Sequence, residues 1–138
     1  MIPTSNDQAI YPSLKNKLAF VTGGATGIGA VIVKQLCYQG AKVTFVDIDK
    51  VNASKVANHL TELGLEVQYI ECDVTKISEL QNIIADSAKK HGQIDILVNN
   101  AANDERHRID TVNEDYWDHS IAINLKPYFL RHKLSTHL

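Results

Sequence analysis

The sequence predicts a single α/β domain in which helices cover both faces of a doubly wound parallel sheet. Short apolar runs alternate with amphipathic stretches, and a glycine follows each of the first three amphipathic stretches. The chain has 138 residues, 44% of them hydrophobic, which is enough for one substantial core. Strands that alternate with helices favour parallel pairing through right-handed crossovers.

Apolar spacing places each element in order. Runs of adjacent apolar residues indicate buried strands, whereas apolar residues three or four apart indicate one face of a helix. In the first helix Ile28, Ile32 and Leu36 share one stripe, which is expected to face the core. The predicted strands are residues 18–22, 42–46, 67–71 and 96–99, and the predicted helices are residues 27–39, 51–63 and 77–91.

A fourth helix is predicted to begin after Asn113. The side chain of Asn113 can accept a hydrogen bond from an amide of the next turn. Glu114 and Asp115 follow it and favour the positive end of the helix dipole.

Charge and composition favour a cytoplasmic protein with small-molecule partners. The formal net charge is -2 with scattered lysines and arginines, which argues against nucleic acid or an anionic membrane as a partner. No segment approaches the roughly 20 apolar residues of a membrane span. Cys37 and Cys72 are expected to be small buried residues, and the histidines lack the spacing of a metal site, so no metal is expected.

The first strand runs into a turn with the glycine spacing Gly-x-x-x-Gly-x-Gly. In this context Gly23 can make the sharp turn, Gly27 lets the backbone approach a pyrophosphate, and Gly29 lets the helix pack closely on the strand. Phosphates would then lie at the amino end of the helix, where free amides favour anions. Glycines also simply end strands, so the turn alone is a weak signal.

Asp47 lies at the tip of the second strand, about 20 residues beyond the glycines. A carboxylate there can accept both hydroxyls of an adenosine ribose and would repel a 2′-phosphate, which favours NAD over NADP. Lys50 and Lys55 are close enough in sequence to oppose that preference. The alternative is an ordinary solvated turn residue.

Two further strand ends bring polar and small residues to the same edge of the sheet. Asp73, followed by Val74, could accept from an adenine amino group or could only cap a helix. Residues 99–102, Asn-Asn-Ala-Ala, would let backbone approach a flat ligand in the crevice of an open sheet, or form an ordinary turn. A methyltransferase that binds S-adenosylmethionine fits the first two strands, but not this stretch or the glycine spacing.

Together these motifs resemble the amino-terminal half of the short-chain dehydrogenases, whose fold is of the Rossmann type. The resemblance covers the chain to about Lys126 and includes Asn124 in the run Ile-Asn-Leu-Lys. Residues 9–15, 103–108 and 116–118 look more narrowly like those of bacterial aldose 1-dehydrogenases of the D-xylose type.

The resemblance implies an NAD-dependent oxidoreductase that transfers a hydride between a sugar or polyol hydroxyl and nicotinamide, and that is a homo-oligomer in its full-length form. Ala102 stands where the family usually has glycine. The cofactor-binding residues implied by the resemblance are Thr22, Gly23, Thr26, Gly27, Ile28, Gly29, Asp47, Ile48, Asp73, Val74, Asn100, Ala101 and Ala102.

Of the family's catalytic groups, the resemblance assigns only Asn124, which would hold a water in a proton relay. The family's serine and its Tyr-x-x-x-Lys pair are expected beyond the present end. Tyr128 does not replace that tyrosine, because Lys133 is five residues on and not four. The expected fold is therefore a Rossmann-type sheet truncated after about four strands.

We expect one incomplete dinucleotide-binding domain over residues 1–138, with an N-terminal arm over about residues 1–14. Residues 129–138 are predicted to be an aberrant tail, because they are cationic where the fourth helix should continue through small and apolar residues. A catalytically inactive nucleotide-binding fragment, or a frameshifted gene product, is the alternative interpretation.

Overall fold

The computed structural model describes residues 9–128, which form a parallel sheet of four strands with helices packed on it. The strands are β1 (Leu18–Thr22), β2 (Lys42–Asp47), β3 (Val67–Glu71) and β4 (Ile96–Asn99). The helices are α1 (Gly27–Tyr38), α2 (Lys50–Glu62), α3 (Ile77–His91) and α4 (Glu114–Asn124), with single 3-10 turns at Pro12–Leu14 and Ile109–Thr111. These bounds confirm the predicted α/β class and agree with the predicted strands and first three helices to within one residue.

The strands lie in the order β3-β2-β1-β4, and every pair is parallel. Ala19 of β1 lies between Val43 of β2 and Ile96 of β4. The chain therefore moves outward from β1 to β3 and then crosses to the other side of β1. Open α/β sheets form a crevice at the carboxyl ends of the strands where such a reversal occurs, here between β1 and β4.

Each face of the sheet has its own apolar core. Burying the apolar side chains of the two cores removes them from water and stabilises the fold by roughly 25 cal/mol for each Å² of apolar surface buried. Phe45 and Tyr69 pack side by side, with their ring centroids 5.4 Å apart. One core is centred on Val21, Val33, Phe45 and Leu60, and the other on Phe20, Val46, Leu80 and Ile84.

The stripe with which α1 faces the sheet differs from the predicted one. Ile28 is 76% exposed, whereas Ala30, Val33 and Cys37 are buried. Ile32 and Leu36 are only partly buried and pack at the margin of the core. The predicted position of Ile28 was wrong, whereas Ile32 and Leu36 do pack against the core. The helix lies so close to the sheet at its amino end that smaller side chains fill the contact.

Both cysteines are buried, as predicted, and burial raises the pKa of Cys37 to about 12. Residues 9–14 of the predicted arm are attached to the end of α1. The Gln39 side chain accepts from the Tyr11 amide at 2.8 Å and donates to the Ala9 carbonyl at 2.9 Å. The predicted tail, residues 129–138, lies outside the described residues. Within residues 9–128, no helix has the length and hydropathy needed to cross a bilayer.

Asp95 joins β1 to β4 at the amino edge of the sheet. Its carboxylate accepts hydrogen bonds from the Lys17 ammonium at 2.8 Å and from the Leu18 amide at 2.9 Å. These two bonds, the Lys17 one first, hold the pKa of Asp95 below its ordinary value. The Lys17 bond is exposed to solvent, and the Leu18 bond is partly buried.

Replacing Asp95 by asparagine is expected to lower the free energy of unfolding at neutral pH, because an amide cannot pair with Lys17 as a carboxylate does. Since the pKa is lowered in the folded state, this stabilisation is present above the ordinary value of 3.8 and disappears as pH falls through the folded-state value. Chemical denaturation at several pH values should therefore show the difference between wild type and Asp95→Asn closing in acid. The control is Asp86→Asn, an exposed carboxylate 3.5 Å from Lys89. A difference that does not change with pH would contradict this prediction.

Candidate functional site

A cleft of about 790 Å³ opens at the carboxyl edge of the sheet, where the strand order reverses. The segments that follow all four strands line it, together with one face of α4. Every predicted cofactor-binding residue except Thr22 lines this cleft: Gly23, Thr26, Gly27, Ile28, Gly29, Asp47, Ile48, Asp73, Val74, Asn100, Ala101 and Ala102. The structure therefore brings together residues that are spread over 80 positions of the sequence.

The glycine turn brings the amino end of α1 against the cleft. A Cβ atom on Gly29 would overlap the Gly23 carbonyl oxygen and the side-chain nitrogen of Asn100, so only glycine allows α1 to approach so closely. Gly27 has φ +54°, and a Cβ atom there would meet no other atom within 4 Å. The Thr26 side chain makes no capping hydrogen bond to α1. The first amides of the helix are thus left available for an anion.

Thr22 lies beneath the cleft and fastens its two central turns together. Its hydroxyl accepts hydrogen bonds from the amides of Asn100 at 3.2 Å and Ala101 at 3.1 Å. In return the Asn100 side chain donates to the Gly23 carbonyl at 2.9 Å. Thr22 is fully buried, so it supports the turns from below and does not line the cleft.

The Asp47 carboxylate faces the glycine turn. One of its oxygens accepts from the Ala25 amide at 2.9 Å, and the other accepts from the Asp49 amide at 2.9 Å. The Tyr69 hydroxyl donates to the Asp47 backbone carbonyl at 3.2 Å. Three hydrogen bonds thus hold Asp47 in place. Its negative charge lies where β2 reaches the cleft.

Asp73 is held by the residue two positions further on. Its carboxylate accepts from the Thr75 amide at 2.9 Å and the Thr75 hydroxyl at 2.7 Å. Burial by itself would raise the pKa of Asp73, but these bonds, aided by Lys76 and His119, outweigh burial and lower it. Asp73 is therefore ionised at neutral pH and is a hydrogen-bond acceptor.

The α4 helix closes the other side of the cleft with residues that the sequence analysis did not assign. His119 and Ile123 line the cleft from α4, four residues apart and hence on one helical face. That spacing was the available signal, but nothing in the sequence showed which face of α4 points inward. The sequence gives His119, like the other histidines, no expected role in a metal site. Residues 9–128 contain no group of three or more histidine, cysteine or acidic residues that could hold a metal, and the expected absence of a metal stays a prediction.

Asn124 holds the loop that follows β4. Its side chain accepts from the Asn103 amide at 2.8 Å and donates to the Asn103 carbonyl at 2.9 Å. Asn103 and Asp104 line the cleft, whereas Asn124 does not. The structure thus shows Asn124 as a support for the loop, and its role in a proton relay stays a prediction.

The tyrosines near the expected catalytic spacing lie elsewhere. Tyr128 donates its hydroxyl to the Ala101 carbonyl at 3.2 Å. Two pairs, Tyr11 with Lys15 and Tyr38 with Lys42, do have the Tyr-x-x-x-Lys spacing, which the sequence analysis overlooked. The first pair precedes β1, and the second connects the end of α1 to the start of β2. Both pairs therefore lie at the amino edge of the sheet, opposite the cleft, where the Asn16 amide donates to the Gly40 carbonyl at 2.8 Å.

A parallel sheet with this strand order, a glycine turn against α1 and a cleft at the reversal defines a domain of the Rossmann type. The family model for the short chain dehydrogenases matches residues 17–137, so the chain belongs to that family. The resemblance stated from the sequence motifs is thereby confirmed.

Two curated relatives are sugar dehydrogenases. D-xylose 1-dehydrogenase of Caulobacter vibrioides is 38% identical, over 86% of this chain and 46% of the relative. The probable galactose dehydrogenase of Rhizobium meliloti is 33% identical, over 86% of this chain and 47% of the relative. The chain therefore spans about half the length of the curated relatives it matches.

A solved structure shows the same fold. The short-chain dehydrogenase of Burkholderia cenocepacia in complex with NADP superposes with a TM-score of 0.85. It is 30% identical and aligns with 90% of this chain and 51% of that one. The family thus uses nicotinamide dinucleotides, and its fold accepts the phosphorylated form in that relative.

Replacing Thr22 by valine should lower the free energy of unfolding by about 1–3 kcal/mol, because the Asn100 and Ala101 amides lose the oxygen that accepts from both. Chemical denaturation measures the decrease in the free energy of unfolding. Faster hydrogen exchange of the Asn100 and Ala101 amides would show that the decrease arises at these bonds. Thr44→Val is the matched control, since Thr44 is equally buried in β2. A loss no larger than that of Thr44→Val, with unchanged exchange at residues 100 and 101, would contradict the prediction.

Proposed function

We propose that the cleft binds NAD and that the chain supplies the dinucleotide site of an oxidoreductase acting on a sugar or polyol hydroxyl. The observation that carries the proposal is the position of Asp47, whose carboxylate faces the glycine turn at the end of the cleft. Family membership supports the reaction class. The sugar substrate is supported by the names of the two dehydrogenases described above.

The residues present fit such a cofactor. The open space at Gly27 and the uncapped amino end of α1 suit a pyrophosphate. Asp47 suits the hydroxyls of the adenosine ribose, and the ionised Asp73 suits the amino group of adenine. Ala101 and Ala102 leave room for a flat ring beside β4. When bound, the cofactor supplies the chemistry of hydride transfer.

The preference for NAD over NADP is part of the proposal. The Burkholderia cenocepacia relative is in complex with NADP, so the proposed preference depends on residues of this chain and not on the shared fold. In this chain Asp47 is the residue that would repel a 2′-phosphate, because its carboxylate is already held toward the turn by the Ala25 amide.

The substrate would lie beyond the nicotinamide, where polar residues form the rim of the cleft. Asn103 and Asp104 line that part, and Asn124 fixes the backbone of the loop through Asn103. The loop is also fastened to α4, since His107 stacks on Tyr116 with ring centroids 3.9 Å apart. Amide and carboxylate groups on a fixed loop suit the hydroxyls of an aldose or polyol. The proposal also includes that the full-length protein is a homo-oligomer and lies in the cytoplasm.

A specific observation favours a second candidate, a module that binds the nucleotide without turnover. Within the described part of the chain, neither a tyrosine nor a lysine lines the cleft. The family resemblance places the proton transfer on such a pair. The two candidates therefore differ in turnover and not in binding.

Calorimetric titration of the 138-residue chain with NAD and NADP tests the proposal. We expect NAD to bind at least about tenfold more tightly, which corresponds to about 1.4 kcal/mol. Asp47→Asn should narrow that ratio by weakening NAD binding and removing the repulsion, while the exposed Asp86→Asn should leave it unchanged. Equal affinity of the wild type for both dinucleotides would contradict the preference, and binding of S-adenosylmethionine in place of either would favour a methyltransferase.

The absorbance of reduced nicotinamide, followed with NAD and a panel of aldoses, separates the two candidates. A steady rate with any aldose would show that the chain is an oxidoreductase by itself. Titratable NAD binding without such a rate would support the binding module.

A further inference from the structure

Two positive features follow Asp47 within three residues of the chain, just outside the lining of the cleft, and each could attract a 2′-phosphate. One is the ammonium group of Lys50, the first residue of α2. The other is the amino end of α2, because free amides and the helix dipole favour anions at that end. Both features follow directly on the tip of β2, where the resemblance implies the adenosine ribose.

Each positive feature has a carboxylate of its own. Glu71, the last residue of β3, lies 3.4 Å from the Lys50 ammonium. Asp49 is the N-cap of α2 and accepts from the Asn52 amide at 3.1 Å and the Asn52 side chain at 2.7 Å. Together with Asp47 this makes three carboxylates around one short stretch of chain.

The register of the sheet keeps these carboxylates together. Asp47 and Glu71 are paired across β2 and β3 and so lie at the same level on neighbouring strands. The Tyr69 hydroxyl donates to the Asp47 carbonyl at 3.2 Å. Burial first, and then the charges of Glu71, Asp47 and Asp49, raise the pKa of Tyr69. The three carboxylates therefore act on this hydroxyl in the same direction.

We propose that Glu71 is a specificity-determining residue that excludes a 2′-phosphate by neutralising Lys50. The inference rests on the proposed function and deepens it, because it assigns the choice between NAD and NADP to two carboxylates and not to Asp47 alone. Asp47 repels the phosphate, and Glu71 occupies the ammonium group that would hold it.

The ion pair of Glu71 with Lys50 suits such a role because it adds little stability. The two side chains are 57% and 73% exposed, and exposed ion pairs contribute little to the free energy of unfolding. A phosphate carrying nearly two charges competes for the same ammonium, so removing the Glu71 charge should strengthen its binding about threefold to tenfold.

The test compares the affinities of ADP-ribose and 2′-phospho-ADP-ribose for the 138-residue chain by calorimetry, with no need for turnover. In Glu71→Gln we expect the phosphorylated ligand to bind about threefold to tenfold more tightly, with ADP-ribose unchanged. The double variant Lys50→Gln, Glu71→Gln should lose that gain. The single variant Asp47→Ser should bind 2′-phospho-ADP-ribose more tightly than the wild type does. The double variant Asp47→Ser, Glu71→Gln should bind it more tightly still.

Glu66→Gln is the matched control, because Glu66 also pairs with a lysine, Lys42 at 3.2 Å, but at the opposite edge of the sheet. An unchanged affinity ratio in Glu71→Gln, or the same change in Glu66→Gln, would overturn the inference while leaving the proposed function intact. Failure of the wild type to bind ADP-ribose at all would overturn the proposed function, and the inference with it.

Discussion

The close contact between the amino end of α1 and the turn after β1 is the constraint on which the site depends. Gly29 lies against the Gly23 carbonyl so closely that no side chain fits between them. That contact places the Ala25 amide within 2.9 Å of the Asp47 carboxylate and the Asn100 side chain within 2.9 Å of the Gly23 carbonyl. Three strand ends are thus located relative to one another by backbone proximity, and the cleft is the space that remains between them.

The two edges of the sheet have different uses. At the amino edge, carboxylates pair with lysines and join neighbouring strands, as Asp95 does with Lys17 and Glu66 does with Lys42. At the carboxyl edge, the carboxylates of Asp47 and Asp73 are held mainly by backbone amides and a hydroxyl. Lysines therefore neutralise Asp95 and Glu66 at the amino edge, and Glu71 at the carboxyl edge pairs with Lys50, whereas the charges of Asp47 and Asp73 remain available to a ligand.

Most of the fold could be predicted because apolar spacing and glycines are local signals. The strands β1, β3 and β4 begin and end where the apolar runs do, and Asn113 caps α4 through the Tyr116 amide at 2.8 Å, as expected. Tertiary contacts could not be predicted from these local signals. Ile28 was expected in the core because of its spacing from Ile32 and Leu36, yet the proximity of α1 to the sheet leaves room only for smaller residues such as Ala30.

For the site too, residues with a local signal could be predicted, and residues positioned by tertiary contacts could not. Residues in the turns after the strands were found because glycine and aspartate at strand ends have a physical reason to be there. Thr22 was found through the family motif, but its support of the turns from below depends on the Asn100 and Ala101 amides, which are 78 and 79 residues away in sequence. His119 and Ile123 were missed because a short helix with exposed faces gives no sign of which one lines a cleft.

The bonds made by the Asp47 carboxylate have a thermodynamic consequence for ligand recognition. Both of its oxygens are already oriented by backbone amides before any nucleotide arrives. Such preorganisation spares the complex most of the conformational entropy that ordering a free side chain would cost, about 0.5–1.5 kcal/mol for a mobile one. A nucleotide bound as proposed would therefore meet a carboxylate of rigid geometry, and small displacements of the glycine turn would be transmitted directly to it.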